Sequence, residues 1–186
     1  MQNSRTFSHT LLKECLLPGD LAIDATCGNG NDTLLMAKLV ENSGKILAFD
    51  IQPQAICNTM ALLRREKVDK QVECIQDSHS NLHNYIDFDT KIKAAIFNLG
   101  YLPQSDKSII TLPTTTIEAI KSIQKHLVKK GRIIIVSYYG HEHGQEELDA
   151  LNNYLSQLPQ QDWSVLKYEF INQINCPPIC FCLEKR

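Results

Sequence analysis

The chain has 186 residues, of which 43% are hydrophobic and 22% are charged, and its formal net charge is -2 at pH 7. This length supports one sizeable core, so we expect a single domain over residues 1–186. A nearly balanced charge argues against a protein that coats nucleic acid by bulk electrostatics, although it leaves room for local basic faces.

The sequence also predicts the compartment. No apolar run approaches the roughly 20 residues of a membrane span, and Lys13 and Glu14 interrupt the apolar positions near the start, so neither a signal peptide nor an anchor is expected. The seven cysteines are an odd number and lie mostly within apolar segments. That pattern favours reduced thiols and a cytoplasmic protein.

Helix-like and strand-like segments alternate along the chain. Helices are expected over residues 6–16, 31–42, 53–68, 79–86, 114–128 and 144–157, with Gly44 and Gly131 just past helix ends. Strands are expected over residues 20–25, 45–50, 71–76, 92–98, 131–138, 163–170 and 178–184. Such alternation builds a mostly parallel seven-stranded α/β sheet with helices on both faces. The last two segments follow one another without a helix, so one of them should run antiparallel.

A glycine-rich turn lies between the first strand and the following helix, in the run AIDATCGNGNDT. Gly28 and Gly30 allow the backbone to turn tightly beside a ligand, and Asn31 and Asp32 can cap the helix. The next strand, KILAFD, ends in Asp50, about where an acid binds a ribose hydroxyl in doubly wound folds. The pattern therefore indicates a nucleotide-type cofactor site, against the alternative of a tight turn with no ligand.

Two cofactor classes fit this turn, and two residues favour one of them. A dinucleotide site places a third glycine where this chain has Thr33. Asp24, at the end of the first strand, would repel a diphosphate but attract a cationic amino-acid group, directly or through water. S-adenosylmethionine carries such a group, so it is the cofactor that we expect.

The acceptor side of the site should lie at the ends of the fourth and fifth strands, since ligands of open parallel sheets bind at carboxyl ends. The segment AAIFNLGYLP places Asn98 and Tyr101 there, and SYYGHEHG adds Tyr139 and His141. These four residues are the catalytic candidates, because their side chains can accept a hydrogen bond or a proton from a reacting group. His9 joins them if the leading helix folds over the cofactor.

A metal site is not expected. His141 and His143 are close in sequence, and three cysteines lie near the end of the chain, but zinc sites prefer paired ligands in loops. Cys180 and Cys182 instead alternate along an expected strand, where they share one face and pack as small hydrophobes.

The order of elements resembles the Rossmann-like class I methyltransferase fold that binds S-adenosylmethionine. In that family the glycine turn cradles the methionine part, the acid ending the second strand binds the ribose, and an acid after the third strand lies near the adenine. The resemblance implies that the cofactor-binding residues come from these segments: Asp24, Cys27, Gly28, Asn29, Gly30, Asn31, Asp32, Asp50, Gln52, Asp77, Ser78, His79 and Asn98.

The segment FNLGY also resembles the Asn-Pro-Pro-Tyr signature of methyltransferases that modify amino groups. In those enzymes the asparagine side chain and a neighbouring carbonyl accept hydrogen bonds from the target nitrogen, and the aromatic ring stacks on a base. Here Leu99 and Gly100 replace both prolines. The resemblance implies these roles for Asn98, the Leu99 carbonyl and Tyr101.

The wider pattern is similar to a small single-domain bacterial family once labelled as rRNA methylases. It rests on the segments HTLLKECLLPGDLAIDATCGNGNDTLLMA, AFDIQPQAI, FNLGYLP and IVSYYGHEHGQEE. Members of that family methylate the side-chain amine of 5-aminomethyl-2-thiouridine at the tRNA wobble position, 34. The resemblance implies an anticodon stem-loop as partner, gripped by basic groups. These groups are Arg64, Arg65, Lys67 and Lys70, or Lys121, Lys125, Lys129, Lys130 and Arg132.

Three further possibilities remain open from the sequence. The acceptor can instead be ribosomal RNA or a small amine, and the domain can be a non-catalytic module that binds S-adenosylmethionine or a nucleotide. A homodimer is a further expectation, because tRNA spans more surface than one domain of this size offers near one pocket.

Overall fold

The structure is a computed structural model that describes residues 1–100, 111–141 and 143–186. Its α-helices are α1 Ser4–Cys15, α2 Asn31–Val40, α3 Pro53–Arg65, α4 Pro113–His126 and α5 Gly144–Ser156. Its strands are β1 Leu21–Asp24, β2 Lys45–Asp50, β3 Val72–Gln76, β4 Ile92–Leu99, β5 Leu127–Ser137, β6 Trp163–Tyr168 and β7 Ile179–Lys185. Two short 3₁₀ helices, Asp69–Gln71 and His79–Asn84, flank β3.

The seven strands form one sheet in the order β3-β2-β1-β4-β5-β7-β6. The pairings β3-β2, β2-β1, β1-β4 and β4-β5 are parallel. The last strand, β7, runs antiparallel to both of its neighbours, β5 and β6. The expected α/β sheet with an antiparallel C-terminal strand is therefore confirmed.

The central strands are buried on both faces, because helices cover each side of the sheet. Alternate residues of β1, β4 and β5 enter two separate cores: Ile23 and Phe97 point to one, and Ala22 and Ile96 to the other. The first core is closed by α4 and α5, and the second by α1 and α2. Cys180 and Cys182 both lie in the second core, on one face of β7, as their alternation predicts.

Helix α1 crosses the sheet from its carboxyl edge towards its amino edge. At one end, the Ser4 hydroxyl donates to the carbonyl of Pro178 and the Phe7 ring stacks on Tyr168, with 4.3 Å between ring centroids. At the other end, the Cys15 thiol lies 3.6 Å from the Lys93 carbonyl, near the start of β4. The first turns of α1 therefore lie beside the carboxyl ends of the strands.

Apart from shifts of one to three residues at the ends of other elements, the structure differs from expectation at the fifth strand, at Gly131 and at the segment 79–86. The fifth strand begins at Leu127 and includes Gly131, because the β4-β5 register shifts between Ile92 and Ala94 and the extra residues bulge. A Cβ atom at Gly131 would lie 2.9 Å from the Lys93 carbonyl oxygen, so glycine serves this close approach and not a helix end. The helix expected over 79–86 is a 3₁₀ helix, His79–Asn84. Among the residues described, no helix is long and apolar enough to cross a membrane.

Substitution of Gly44, in the turn between α2 and β2, tests how closely these elements pack. A Cβ atom there would lie 2.4 Å from the Val40 Cβ and 2.6 Å from the Asp20 carbonyl oxygen. Gly44→Ala should lower the free energy of unfolding by about 2–4 kcal/mol, because backbone must move. Urea unfolding measures the change. The matched control Ser43→Ala, at an exposed neighbour, should stay within about 0.5 kcal/mol of the wild type. Equal stability of both variants would contradict the close packing.

Candidate active site

A cavity of about 690 Å³ opens at the carboxyl edge of the sheet. The residues on its wall that the sequence predicted are Cys27, Gly28, Asn29, Asn31, Asp32, Asp50, Asn98 and His141. Leu99, of which the sequence analysis assigned a role to the carbonyl, also lies on the wall. The other wall residues were not predicted as site residues: Arg5, Thr26, Gly100, Tyr138, Gly140, Asn175, Cys176 and Pro178. The cavity thus lies beside the glycine turn and the end of β4, where the sequence placed the two halves of a site.

The glycine turn is held by backbone contacts that only glycine permits. Gly28 and Gly30 have φ angles of 53° and 78°, in the left-handed region. A Cβ atom at Gly30 would lie 2.9 Å from the Cα of Thr59, so α3 packs directly on the turn. Gly30 itself is the N-cap of α2, and the helix has no side-chain cap. The prediction that Asn31 and Asp32 cap this helix is therefore wrong, because both lie within its first turn.

Asp50 fixes the turn from the neighbouring strand. One of its carboxylate oxygens accepts the Gly28 N–H at 3.0 Å, and the other accepts the Gln52 N–H at 3.0 Å. Burial raises the pKa of Asp50, while these backbone donors work in the opposite direction. Each oxygen keeps a lone pair for a further donor, such as a ribose hydroxyl. Gln52 is not part of the cavity wall and contributes its backbone N–H to this arrangement.

Asp24, which the sequence analysis expected to attract a cationic group directly or through water, is completely buried beneath the turn and does not lie on the cavity wall. Its carboxyl group accepts the Thr33 hydroxyl at 2.6 Å. Burial, strengthened by the nearby charge of Asp32, raises the pKa of Asp24 to about 7. Thr33, where a dinucleotide site has glycine, thus supplies the hydrogen bond that this buried acid needs.

Asp32, like Asp50, lies on the cavity wall. Its Oδ1 atom lies 2.6 Å from His9 Nε2, and its Oδ2 atom accepts from Asn98 Nδ2 at 2.7 Å. Burial alone would raise the pKa of Asp32, but the hydrogen bonds with His9 and Asn98 outweigh it and hold the pKa below its ordinary value. The cavity therefore contains a permanent negative charge near neutral pH.

The end of β4 forms the opposite wall. The Asn98 N–H donates to the Thr26 hydroxyl at 2.7 Å, which ties this strand end to the glycine turn. The Leu99 carbonyl, expected to be available to a substrate, already accepts the Tyr138 N–H at 2.9 Å. Gly100 has a φ angle of 149° and donates its N–H to the Thr111 hydroxyl at 3.1 Å. Tyr101 lies outside the described residues.

After β5, the structure brings Tyr138 to the cavity wall, whereas Tyr139 packs against the core on the other side. Successive residues of an extended segment point in opposite directions, so only one of the two tyrosines can face the cavity. The sequence-based choice of Tyr139 thus differs from the placement in the structure. His141 lies on the wall, and its Nε2 would be 3.7 Å from a Cβ atom at Gly100.

The three candidates after β3 do not reach the cavity wall. Asp77 accepts hydrogen bonds from the Asn81 amide at 2.8 Å and the Tyr85 hydroxyl at 2.9 Å. Ser78 is the N-cap of the 3₁₀ helix. His79 Nδ1 lies 2.9 Å from the Ala25 carbonyl, and burial lowers the pKa of His79. These contacts support the strand end and the base of the turn.

Cys27 lies on the wall but is not activated as a nucleophile. Burial raises the pKa of its thiol far above the ordinary value, and the neighbouring charge of Asp24 raises it further. Only the thiolate is strongly nucleophilic. Cys27 is therefore a small wall residue of the turn.

The basic groups lie far from this cavity. Arg64 and Arg65 end α3, and Lys130 and Arg132 lie in the first part of β5, so both groups are at the amino edge of the sheet. Arg132 is also engaged, since it bonds Glu14 at 3.1 Å and Glu184 at 3.0 Å. Within residues 1–100, 111–141 and 143–186, the cation on the cavity wall is instead Arg5, from the first turns of α1.

The fold and the cavity together define a class I S-adenosylmethionine-dependent methyltransferase: a glycine turn after β1, an acid ending β2, and a cavity bounded by β4. The chain belongs to the family described as "Putative rRNA methylase", which matches residues 46–184. It is 38% identical to the chloroplastic tRNA (mnm(5)s(2)U34)-methyltransferase of Arabidopsis thaliana, over 96% of this chain and 68% of the relative.

Solved structures agree with this assignment. The putative rRNA-methylase of Clostridium thermocellum is 44% identical, with a TM-score of 0.97 over 100% of this chain and 99% of that one. A putative methyltransferase of Streptococcus mutans, solved in complex with SAH, is 41% identical, with a TM-score of 0.92 over 100% and 99% of the two chains. An O-methyltransferase of Thermotoga maritima, at 16% identity and a TM-score of 0.69 over 97% and 64%, shares the fold.

Substitution of Asp24 should change how stability depends on pH. Its folded-state pKa of about 7 exceeds the unfolded value of about 3.9, so the folded state binds more protons between these values. Stability therefore falls as pH rises through this window, by up to about 4 kcal/mol. Asp24→Asn does not titrate and removes this contribution.

Urea unfolding of both proteins from about pH 5 to about pH 8 measures the effect. The stability of the wild type relative to Asp24→Asn should decrease with rising pH and level off above about 7. A difference that is constant across the range would contradict a buried, titrating Asp24.

Proposed function

We propose that this protein transfers a methyl group from S-adenosylmethionine to the side-chain amine of 5-aminomethyl-2-thiouridine at tRNA position 34, giving 5-methylaminomethyl-2-thiouridine. The observation that carries the proposal is the orientation of the Asn98 amide. Its Nδ2 group donates to Asp32, so its Oδ1 atom is turned towards other partners and can accept a hydrogen bond from an amine. The name of the Arabidopsis relative supports the same substrate.

The cavity fits this cofactor in shape and charge. Its floor is the backbone turn at Gly28, and Asp32 and Asp50 lie on its wall. In our proposal the turn holds the methionine part, Asp50 accepts a hydrogen bond from the ribose, and Asp32 attracts positive charge. When bound, S-adenosylmethionine supplies a methyl group on a positively charged sulfur, which leaves as a neutral thioether.

The protein residues then have two tasks in an in-line displacement. Asn98 Oδ1 accepts from an N–H of the neutral amine and so directs the nitrogen lone pair towards the methyl carbon. The walls formed by Leu99, Gly100 and Tyr138 exclude water from the reacting atoms. The amine gives up its proton to solvent before it reacts. The N–C bond then forms as the C–S bond breaks, the positive charge passes from sulfur to nitrogen, and the product leaves as a secondary ammonium with no covalent bond to the enzyme.

We propose an anticodon stem-loop as the partner, because its unpaired bases point away from the stem and one can enter a cavity. In this proposal, Arg5 contacts the RNA backbone at the cavity. The other basic groups cannot do so, because they lie at the amino edge of the sheet and the cavity is at the carboxyl edge. We also propose a homodimer, because the anticodon arm spans more surface than the rim of one cavity, and a cytoplasmic location.

The substrate is tested with tRNA from cells that lack this gene. Incubation with S-adenosylmethionine should convert 5-aminomethyl-2-thiouridine to 5-methylaminomethyl-2-thiouridine, as measured by mass spectrometry of nucleosides. Asn98→Ala should lower kcat by about 100-fold or more, since it removes a positioned acceptor. The control Asn153→Ala, at an exposed position on α5, should match the wild type.

Ribosomal RNA is the second candidate substrate, because the family is described as an rRNA methylase. The same incubation with ribosomal RNA and labelled cofactor separates the two. Label in ribosomal RNA, with the tRNA precursor unchanged, would overturn the tRNA assignment. Label in neither RNA, with cofactor bound, would favour a small amine or a binding module.

Asp50→Ala should weaken cofactor binding. Loss of a ribose hydrogen bond costs roughly 1–3 kcal/mol, which raises the Kd by about 5- to 150-fold. Calorimetric titration with S-adenosylmethionine measures it. The exposed acid Asp89 provides a control, since Asp89→Ala should leave the Kd unchanged. An unaltered Kd for Asp50→Ala would place the ribose elsewhere.

A further inference from the structure

Three side chains from three separate elements form a continuous hydrogen-bonded chain at the cavity. His9, on α1, lies with its Nε2 atom 2.6 Å from Asp32 Oδ1, and Asp32 Oδ2 accepts from Asn98 Nδ2 at 2.7 Å. Asp32 and Asn98 lie on the cavity wall, whereas His9 does not. The role of His9 is therefore exerted through Asp32.

The direction of these hydrogen bonds follows from the chemistry of the groups. An ionised carboxylate only accepts, so both His9 Nε2 and Asn98 Nδ2 must donate to Asp32. The two ends of an asparagine amide have nearly the same shape, and its orientation is set by its partners. A charged Asp32 thus holds the nitrogen end of Asn98 and leaves the oxygen end for an amine. A protonated Asp32 could donate instead and would stabilise the reversed orientation.

The charge on Asp32 needs support because the residue is only 8% exposed. Arg5 and His9, both on α1, stabilise the ionised form of Asp32. A negative charge on Asp24, at the end of β1, or on Tyr138, after β5, would destabilise it. His9 is the titratable group that bonds the carboxylate directly. Its short hydrogen bond therefore compensates for the burial of Asp32.

The position of His9 is fixed by the packing of α1. Its neighbour one turn earlier, Arg5, lies on the cavity wall, so both side chains project from one face of the helix. The helix is fastened by the Ser4 contact with Pro178 and by a 3.1 Å hydrogen bond from Arg132 to the Leu11 carbonyl. The imidazole is consequently held in place before any ligand binds.

We propose that His9 is a positioning residue for methyl transfer: by donating to Asp32, it fixes the Asn98 amide with its oxygen towards the acceptor amine. This inference rests on the proposed function for the identity of the acceptor. It assigns to α1 a part in the chemistry, with no contact between His9 and the substrate.

The test compares His9→Ala with His9→Gln. The Nε2 amide of glutamine can donate the same hydrogen bond but cannot take up a proton as imidazole does. His9→Ala should lower kcat by about 100-fold, with the KM for tRNA within about twofold of the wild type, because misplaced reacting groups slow the chemical step. His9→Gln should recover most of that loss. The control His83→Ala, at an exposed histidine, should match the wild type.

The pH profile of kcat provides a second test, because it would not shift if His9 had a purely structural role. Residue 9 does not titrate in either variant, and Arg5, Asp24 and Tyr138 are present in both. The acidic limb of kcat should therefore lie at higher pH in His9→Ala than in His9→Gln, because Asp32 without its donor is protonated more easily. Equal kcat values and superimposed profiles for the two variants would overturn the inference, and so would a fully active His9→Ala.

A measurement without substrate separates this inference from the proposed function. The side-chain amide protons of Asn98, followed by NMR, should be protected from exchange in the wild type and in His9→Gln, and should lose protection in His9→Ala at acidic pH. A wild type that fails to methylate the tRNA would overturn the proposed substrate alone. An Asn98 amide that is equally protected in all three proteins would overturn the positioning role alone.

Discussion

The order of strands in the sheet reverses between β1 and β4. This reversal determines where the polar groups of the cavity lie. The strands β2 and β3 are added on one side of β1, and β4 and β5 on the other. The connections therefore leave the carboxyl ends of β1 and β4 on opposite faces and open a crevice between them. Because the Thr26 hydroxyl accepts the Asn98 N–H, the two walls of this crevice keep a fixed distance.

Two carboxyl groups close to this crevice differ in their protonation because their donors differ. Among the described residues, the donors to Asp24 are the uncharged Thr33 hydroxyl and a backbone N–H, and its pKa is raised. Asp32 has the His9 ring and the Asn98 amide, and its pKa is lowered. A proton on the deeper acid reduces the repulsion between the two, so the negative charge is concentrated at the cavity wall.

The sequence predicted those features that depend on local pattern and strand order. The alternation of elements, the glycine turn and Asp50 at the end of β2 all follow from apolar runs and their spacing. Features that depend on tertiary packing were not predicted. The choice between Tyr138 and Tyr139 depends on how the chain leaves β5, and the burial of Asp24 depends on α2 packing over it. On α1, the sequence analysis named His9 as a conditional candidate but not Arg5, and the spacing of four residues on one helix was the available signal that the two share a face.

The contact between Ser4 and Pro178 joins residues 174 positions apart. One wall of the cavity is therefore made by residues from both ends of the described chain, and it can form only after β7 has joined the sheet. A ribosome-bound chain that still lacks β7 can fold the glycine turn, but the first turns of α1 then lack their contact with Pro178. Completion of the cavity is thus coupled to completion of the sheet, and partly synthesised chains cannot carry an assembled site.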